Sequence, residues 1–153
     1  MKMRITGIHS FLCACIIAVA AHAQTPHTPK PGSAERQAIC DGARAYVMSR
    51  YVYGQLRQPI VFKIGHLRVL GPYANLEAIP IYKDGSYIDP DVIPDIGYNF
   101  CLRESGGTWK VIADLSRSDV PSAEEMAEIR QRLGPEFPRA LLAPMWRRWI
   151  GEL

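Results

Sequence analysis

The chain has 153 residues, of which 48% are apolar and 22% are charged, so it has the length of one domain and is too apolar to be intrinsically disordered. Eighteen basic residues against 15 acidic residues give a formal net charge of +3. A surplus this small is not the charge footprint of a nucleic-acid-binding protein.

Residues 1–23 have the pattern of a secretory signal peptide. Lys2 and Arg4 form a positive n-region, and an uncharged apolar run covers residues 11–21. Ala21-His22-Ala23 then supplies the small-x-small cleavage site, so we expect cleavage after Ala23 and a periplasmic or secreted mature protein. The apolar run is shorter than the ~20 residues that a membrane-spanning helix needs.

Removing this segment changes the charge of the chain. Loss of Lys2 and Arg4 lowers the basic count from 18 to 16 against 15 acidic residues, which leaves a net charge of +1. This value gives no electrostatic reason to expect nucleic acid or an anionic membrane as the main partner. The alternative is a lipoprotein signal in which Cys15 is acylated.

Two cysteines remain after cleavage, Cys40 and Cys101. Because the expected compartment permits disulfides, we predict one bond between them, closing a loop of about 60 residues and adding ~3–4 kcal/mol of stability. The strand pattern places Cys101 on the face opposite its apolar neighbours, so the bond requires a twisted sheet or one covered on both faces. Two unpaired buried thiols are the alternative.

The expected mature chain begins with a flexible, proline-rich lead-in over residues 24–33. Ser33 can cap a helix that runs from about Ala34 to Tyr53 and ends at Gly54. Apolar residues at helical spacing predict its buried stripe: Cys40, Ala43, Val47 and Tyr51.

Four strand patterns follow, over residues 60–70, 73–82, 98–104 and 108–115. The alternation in the first strand changes phase across Gly65-His66, which predicts a β-bulge. Short glycine-containing turns between strands one and two and between three and four favour an antiparallel meander. The predicted core positions of the third and fourth strands are Tyr98, Phe100, Leu102, Trp109, Val111, Ala113 and Leu115.

Two helices are predicted in the tail. Ser122 to Glu125 form a capping box, and Gly134-Pro135 ends that helix. A last helix starts near Phe137 and should kink at Pro144. The predicted fold class is α+β, with residues 34–153 as a single domain: an N-terminal helix on a four-stranded antiparallel meander, followed by two C-terminal helices.

The order of elements from Ala34 to Leu115 resembles cystatin-like and nuclear-transport-factor-like domains. The segments VFKIGHLRVLG (61–71), DGSYID (84–89), SGGTWKV (105–111) and SDVP (118–121) are similar to a group of small secreted bacterial proteins of uncharacterised function. This resemblance implies the fold and the compartment, and it implies no catalytic residues.

Residues for catalysis or metal binding are scarce. Among the residues that follow the signal, histidine occurs only as His27 and His66, too few for a multi-histidine zinc site. No Gly-x-Ser-x-Gly motif is present. We expect His66 to be a strand residue with a hydrogen-bonded ring. The acidic segment 83–97, with Asp84, Asp89, Asp91 and Asp95, lacks the glycine and glutamate of an EF-hand, which favours a solvated loop.

An acid–base site would have to combine Asp41, Asp114, His66 and Tyr51 at the mouth of a cone between helix and sheet. Asp41 can equally pair with Arg44 or Arg103. We therefore predict no enzymatic activity, no cofactor and no metal.

Two classes of function remain. The first is a non-catalytic interaction protein, such as an inhibitor or an immunity-type partner of another periplasmic or secreted protein. The second is a binder of a small apolar ligand in the cone. The interior distinguishes them, because an open pocket favours a ligand, whereas large side chains that fill the cone favour a protein partner. The residues expected there are Tyr51, Phe62, His66, Phe100 and Trp109.

Overall fold

The computed structural model describes residues 25–94, 97–116 and 120–151. Its elements are α1 (Ala34–Arg50), β1 (Ile60–Leu70), β2 (Tyr73–Tyr82), β3 (Tyr98–Ser105), β4 (Thr108–Asp114), α2 (Ala123–Leu133), a short 3₁₀ helix (Arg139–Leu141) and α3 (Pro144–Gly151). The four strands form one antiparallel sheet in the order β1-β2-β3-β4. The predicted α+β class and element order are confirmed. The expected signal peptide and its cleavage site lie outside the described residues.

A bulge in β1 keeps its apolar side chains on one face of the sheet. Ile64 pairs with Ala78, whereas His66 pairs with Glu77, so Gly65 is the extra residue. An inserted residue reverses the alternation. Ile64 and Leu67 therefore both pack in the core beneath α1, and the predicted bulge is confirmed.

A second bulge divides β4 between the two faces. Leu102 pairs with Val111 and Cys101 pairs with Ala113, which leaves Ile112 as the extra residue. Val111 packs against the core beneath α1, whereas Ala113 lies in the core on the opposite face. The prediction of a single apolar face for this strand is wrong for its second half, because the bulge reverses the alternation there.

The first core lies between α1 and the sheet. Arg36 N donates to Ser33 Oγ at the start of α1, which confirms the predicted cap. The fully buried residues of α1 are Ile39, Ala43 and Val47. The helix ends at Arg50, three residues earlier than predicted, because Tyr51 has left helical geometry.

The second core lies on the other face of the sheet, beneath the C-terminal segment. It contains Tyr73, Cys101, Ala113, Leu115, Met126, Ile129, Leu133, Phe137, Leu141, Leu142, Trp146 and Ile150. The sheet is therefore covered on both faces, and Cys101 is buried on the face that α1 does not cover.

The predicted Cys40–Cys101 disulfide is absent, and both residues are free thiols. The helix buries Ile39 rather than Cys40, which is half-buried, whereas Cys101 belongs to the core on the opposite face. The sheet therefore separates the two sulfurs. Burial raises the pKa of both thiols, so both favour the protonated form.

The C-terminal segment follows the predicted order with one correction. Ser122 and Glu125 form the capping box of α2, and Gly134 caps its end. The last helix is not one kinked helix: the 3₁₀ helix is followed by a break, and Pro144 begins α3. Proline is suited to a first helical position, where its missing N–H leaves no hydrogen bond unmade.

The lead-in is attached to the domain rather than free. His27 exchanges two backbone hydrogen bonds with Val69 of β1, at 2.9 and 2.8 Å. Arg68 donates to the Pro26 carbonyl, and Pro29 is buried. The segment predicted as a flexible lead-in therefore pairs at His27 with the edge that β1 offers. None of the helices in the described part of the chain is long and apolar enough to cross a membrane.

Candidate functional site

The space between α1 and the sheet is filled with side chains. Phe100 is completely buried, and Trp109 is 8% exposed. The Tyr46 ring lies edge-on to Phe100 with centroids 5.3 Å apart, and Tyr51 meets Tyr98 at 5.0 Å. Tyr51, Phe62, Phe100 and Trp109 were the expected pocket residues, and all four pack in this core. The four side chains therefore help to fill this core, although Trp109 also lines a groove at its outer side.

His66, the fifth expected pocket residue, lies on the opposite face. Its Nε2 atom is 2.8 Å from the Leu141 carbonyl oxygen, which attaches β1 to the C-terminal segment. The predicted hydrogen-bonded strand histidine is confirmed, and the bulge at Gly65 sets its side chain on the second face, away from the other four residues.

Of the four candidate acid–base residues, the structure brings together only two. Tyr51 Oη donates to Asp114 Oδ2 at 2.5 Å. Asp41 instead pairs with Arg44, one turn along the same helix. Burial, and then the hydrogen bond and charge of Asp114, raise the pKa of Tyr51, so the phenol retains its proton. The pair therefore connects the end of α1 to the end of β4.

The acidic segment after β2 is arranged by local turn contacts. Ser86 donates from its hydroxyl and its backbone to Asp84, and these bonds lower the pKa of Asp84 to about 2. Asp89 accepts from the backbone of Asp91. Asp95 lies outside the described residues. Across residues 25–94, 97–116 and 120–151, no group of three or more potential metal ligands occurs.

A groove opens between α1 and the hairpin that joins β3 to β4. Its volume is about 580 Å³. It is lined by Ala38, Asp41, Gly42, Ala45, Tyr46, Ser49, Gly107, Thr108, Trp109, Lys110 and Val111. We call this the α1–β4 groove, and most of its accessible lining is apolar. Sequence reasoning missed it, although the small residues Ala38, Gly42 and Ala45 share one side of the helix.

Gly42 sets the distance between α1 and β4. A Cβ atom built on Gly42 would overlap the Trp109 carbonyl oxygen and lie 3.0 Å from the carbonyl carbon. Ordinary carbon–carbon contacts are about 3.5–4.0 Å. The helix therefore packs directly on the β4 backbone at this point.

The charges around the α1–β4 groove are unequally paired. Arg44 neutralises Asp41, as the sequence suggested. Lys110 is exposed and, among the described residues, has no carboxylate within 4.0 Å. The groove is therefore mostly apolar, and Lys110 lies at its margin on the edge strand β4.

A second cavity, of about 390 Å³, lies on the other face of the sheet beside the start of α3. We call this the Glu77 cavity. It is lined by Lys63, Ile64, Gly65, Glu77, Ala78, Ile79, Gly97, Asn99, Leu115, Met145 and Trp146. No local pattern predicts this cavity, because it depends on how the C-terminal segment covers the sheet.

Compared with known proteins, the chain matches no family model, no curated protein and no solved structure.

Proposed function

We propose that this protein is a small, non-catalytic binding protein that recognises another periplasmic or secreted protein through the α1–β4 groove. The observation that carries the proposal is the filled core beneath α1, where Phe100 and Trp109 occupy the space that an apolar ligand would need. This filling argues against a ligand held in the cone and favours recognition on the outside of the domain.

The groove has the composition of a protein-binding surface. Ala45 and Val111 contribute apolar surface, while Trp109 supplies part of an aromatic wall. Concave apolar surfaces with a polar rim accept an anchoring side chain from a partner. A volume of about 580 Å³ is sufficient for one large side chain and its neighbours.

The charge pattern indicates the chemistry of the partner. The ammonium group of Lys110 has no acidic partner among the described residues, whereas Asp41 is already paired. The segment that fits is an apolar side chain flanked by an acidic residue, which would pair with Lys110 at the rim. An inhibitor or immunity-type role requires only such a surface and no catalytic group.

Photo-crosslinking from two positions tests this proposal. A photoreactive phenylalanine derivative is placed at Ala45, within the groove, and in a matched control at Glu128, on the exposed side of α2. Both are solvent-exposed helical positions. We expect one discrete protein adduct from position 45 and none of that mass from position 128.

The adduct must also depend on the groove. Adding Lys110→Glu to the position-45 protein should strongly reduce its yield, whereas Lys83→Glu, at an exposed site outside the groove, should not. Equal yields with both charge reversals, or the same adduct from position 128, would contradict the proposal.

A further inference from the structure

The Glu77 cavity contains a carboxylate without a cationic partner. Among the described residues, no basic nitrogen lies within 4.0 Å of the Glu77 carboxylate. The nearby Lys63 ammonium instead lies 3.5 Å from the Tyr87 hydroxyl and 5.9 Å from the centre of its ring. His66, opposite Glu77 in the sheet, directs Nε2 to the Leu141 carbonyl.

A chain of amide groups fixes the contact that Glu77 does receive. The Ala143 backbone N–H can only donate, and it donates to Asn75 Oδ1 at 2.9 Å. The Asn75 amide nitrogen therefore faces Asn99 and donates to its Oδ1 at 2.7 Å. This contact turns the Asn99 nitrogen toward Glu77, where it donates to Oε2 at 3.4 Å.

One long hydrogen bond is weak compensation for a half-buried carboxylate. Glu77 Oε1 accepts no hydrogen bond from the described residues. A Cβ atom built on Gly65 would lie 3.3 Å from that oxygen, so any side chain at Gly65 would crowd it. Glycine at the bulge leaves the carboxylate accessible from the cavity.

Besides Glu77, the polar residues that line the cavity are Lys63 and Asn99, and the others are glycine or apolar residues. Leu115 and Trp146 are buried, Ile79 is half-buried, and Met145 is 53% exposed at the rim. A cavity of about 390 Å³ lies within the size range of small-molecule sites. It combines apolar surface with the Glu77 carboxylate, which has no cationic partner in the part of the chain that the structure describes.

We infer that the Glu77 cavity binds a small organic cation, an ammonium group attached to an apolar body. The ammonium group donates to Glu77 Oε1, and the apolar body packs against Ile79, Leu115 and Trp146. A charge-assisted hydrogen bond in a partly buried site is stronger than one between neutral groups. A neutral molecule of the same shape would leave the carboxylate unpaired.

NMR titration of the ¹⁵N-labelled protein with 2-phenylethylamine and with neutral 2-phenylethanol tests this inference. We expect the amine to cause saturable shifts at residues 64–66, 77–79 and 145–146, with an affinity at least about tenfold higher than that of the alcohol. Equal affinities, or no saturable shifts from the amine up to about 10 mM, would overturn the inference.

Two variants and one further probe separate the alternatives. Glu77→Gln keeps the shape and should weaken amine binding about tenfold or more, whereas Glu128→Gln, an exposed glutamate on α2, should have no effect. Unchanged affinity in Glu77→Gln would refute the site. Nα-acetyl-lysine amide represents the lysine of a protein partner, and tighter binding of this probe than of 2-phenylethylamine would contradict a small-molecule ligand.

Discussion

Replacing Gly42 with alanine tests how closely α1 packs on β4. The new Cβ atom would overlap the Trp109 carbonyl oxygen and lie 3.0 Å from its carbon and 3.2 Å from its Cβ. These carbon distances are at least ~0.3 Å shorter than ordinary contacts, and the oxygen belongs to the backbone, so no side-chain rotation relieves the overlap. Such overpacking typically costs about 1–3 kcal/mol.

Helix propensity acts in the opposite direction, because alanine is favoured over glycine in a helix by about 1 kcal/mol. We expect steric overlap to outweigh this gain and Gly42→Ala to lower the free energy of unfolding by about 1–2 kcal/mol. Urea denaturation measures this change. An unchanged slope of the free energy of unfolding against urea concentration would show that the unfolded state is unaffected.

The matched control is Ala45→Gly, one turn along the same helix at an exposed position. It changes propensity without creating an overlap and should lower stability by about 1 kcal/mol. If Gly42→Ala instead stabilised the protein by the amount that Ala45→Gly destabilises it, propensity alone would operate at position 42. The close contact between α1 and β4 would then be refuted.

Three other predictions concern the two cores. Asn75→Ala should lower the free energy of unfolding, measured by urea denaturation, by ~2–4 kcal/mol, because it leaves the buried hydrogen-bonding partners of Asn75 unpaired. A loss below about 0.5 kcal/mol would contradict this hydrogen-bond network. Thiol labelling with peptide mapping should find Cys40 and Cys101 unpaired in the denatured, non-reduced protein, and a disulfide-linked peptide would contradict this. In the folded protein Cys101 should be protected from labelling, because burial raises the pKa of its thiol. The pKa of Tyr51 is raised above 10.0, so its contribution to stability is complete below pH ~10 and is lost above it. Tyr51→Phe should reduce the loss of stability that unfolding experiments measure at alkaline pH. A dependence of stability on pH identical to that of wild type would count against the Asp114 contact.

Much of the sheet was predictable because strand alternation is a local signal. The phase change at Gly65 identified the β1 bulge from the sequence alone. The β4 bulge was missed because Val111, Ile112 and Ala113 are all apolar, so no polar residue marks the change of phase. Local pattern therefore identifies a bulge only where polar and apolar residues alternate.

The disulfide prediction was wrong for a similar reason. Ile39 and Cys40 are adjacent in sequence but about 100° apart around the helix, so choosing the wrong one rotates the predicted face. The polar side chain of Asn75 is buried because the C-terminal segment covers the face of the sheet on which it lies.

Neither candidate site could be derived from the sequence. The α1–β4 groove depends on the contact between Gly42 and Trp109, which are far apart in the chain. The Glu77 cavity depends on where α3 begins on the sheet. Both are consequences of tertiary packing, whereas periodicity and turn chemistry report only on neighbouring residues.

The proposed function is tested most directly by the affinity of the partner, identified by crosslinking and then purified, for wild type, Lys110→Glu and Lys83→Glu. The two substitutions reverse the same charge at exposed positions, and only Lys110 lines the α1–β4 groove. Calorimetry should find a one-to-one complex with wild type, weakened about tenfold or more by Lys110→Glu and unchanged by Lys83→Glu. Equal affinities for all three proteins, or weakening by Lys83→Glu alone, would contradict recognition through this groove.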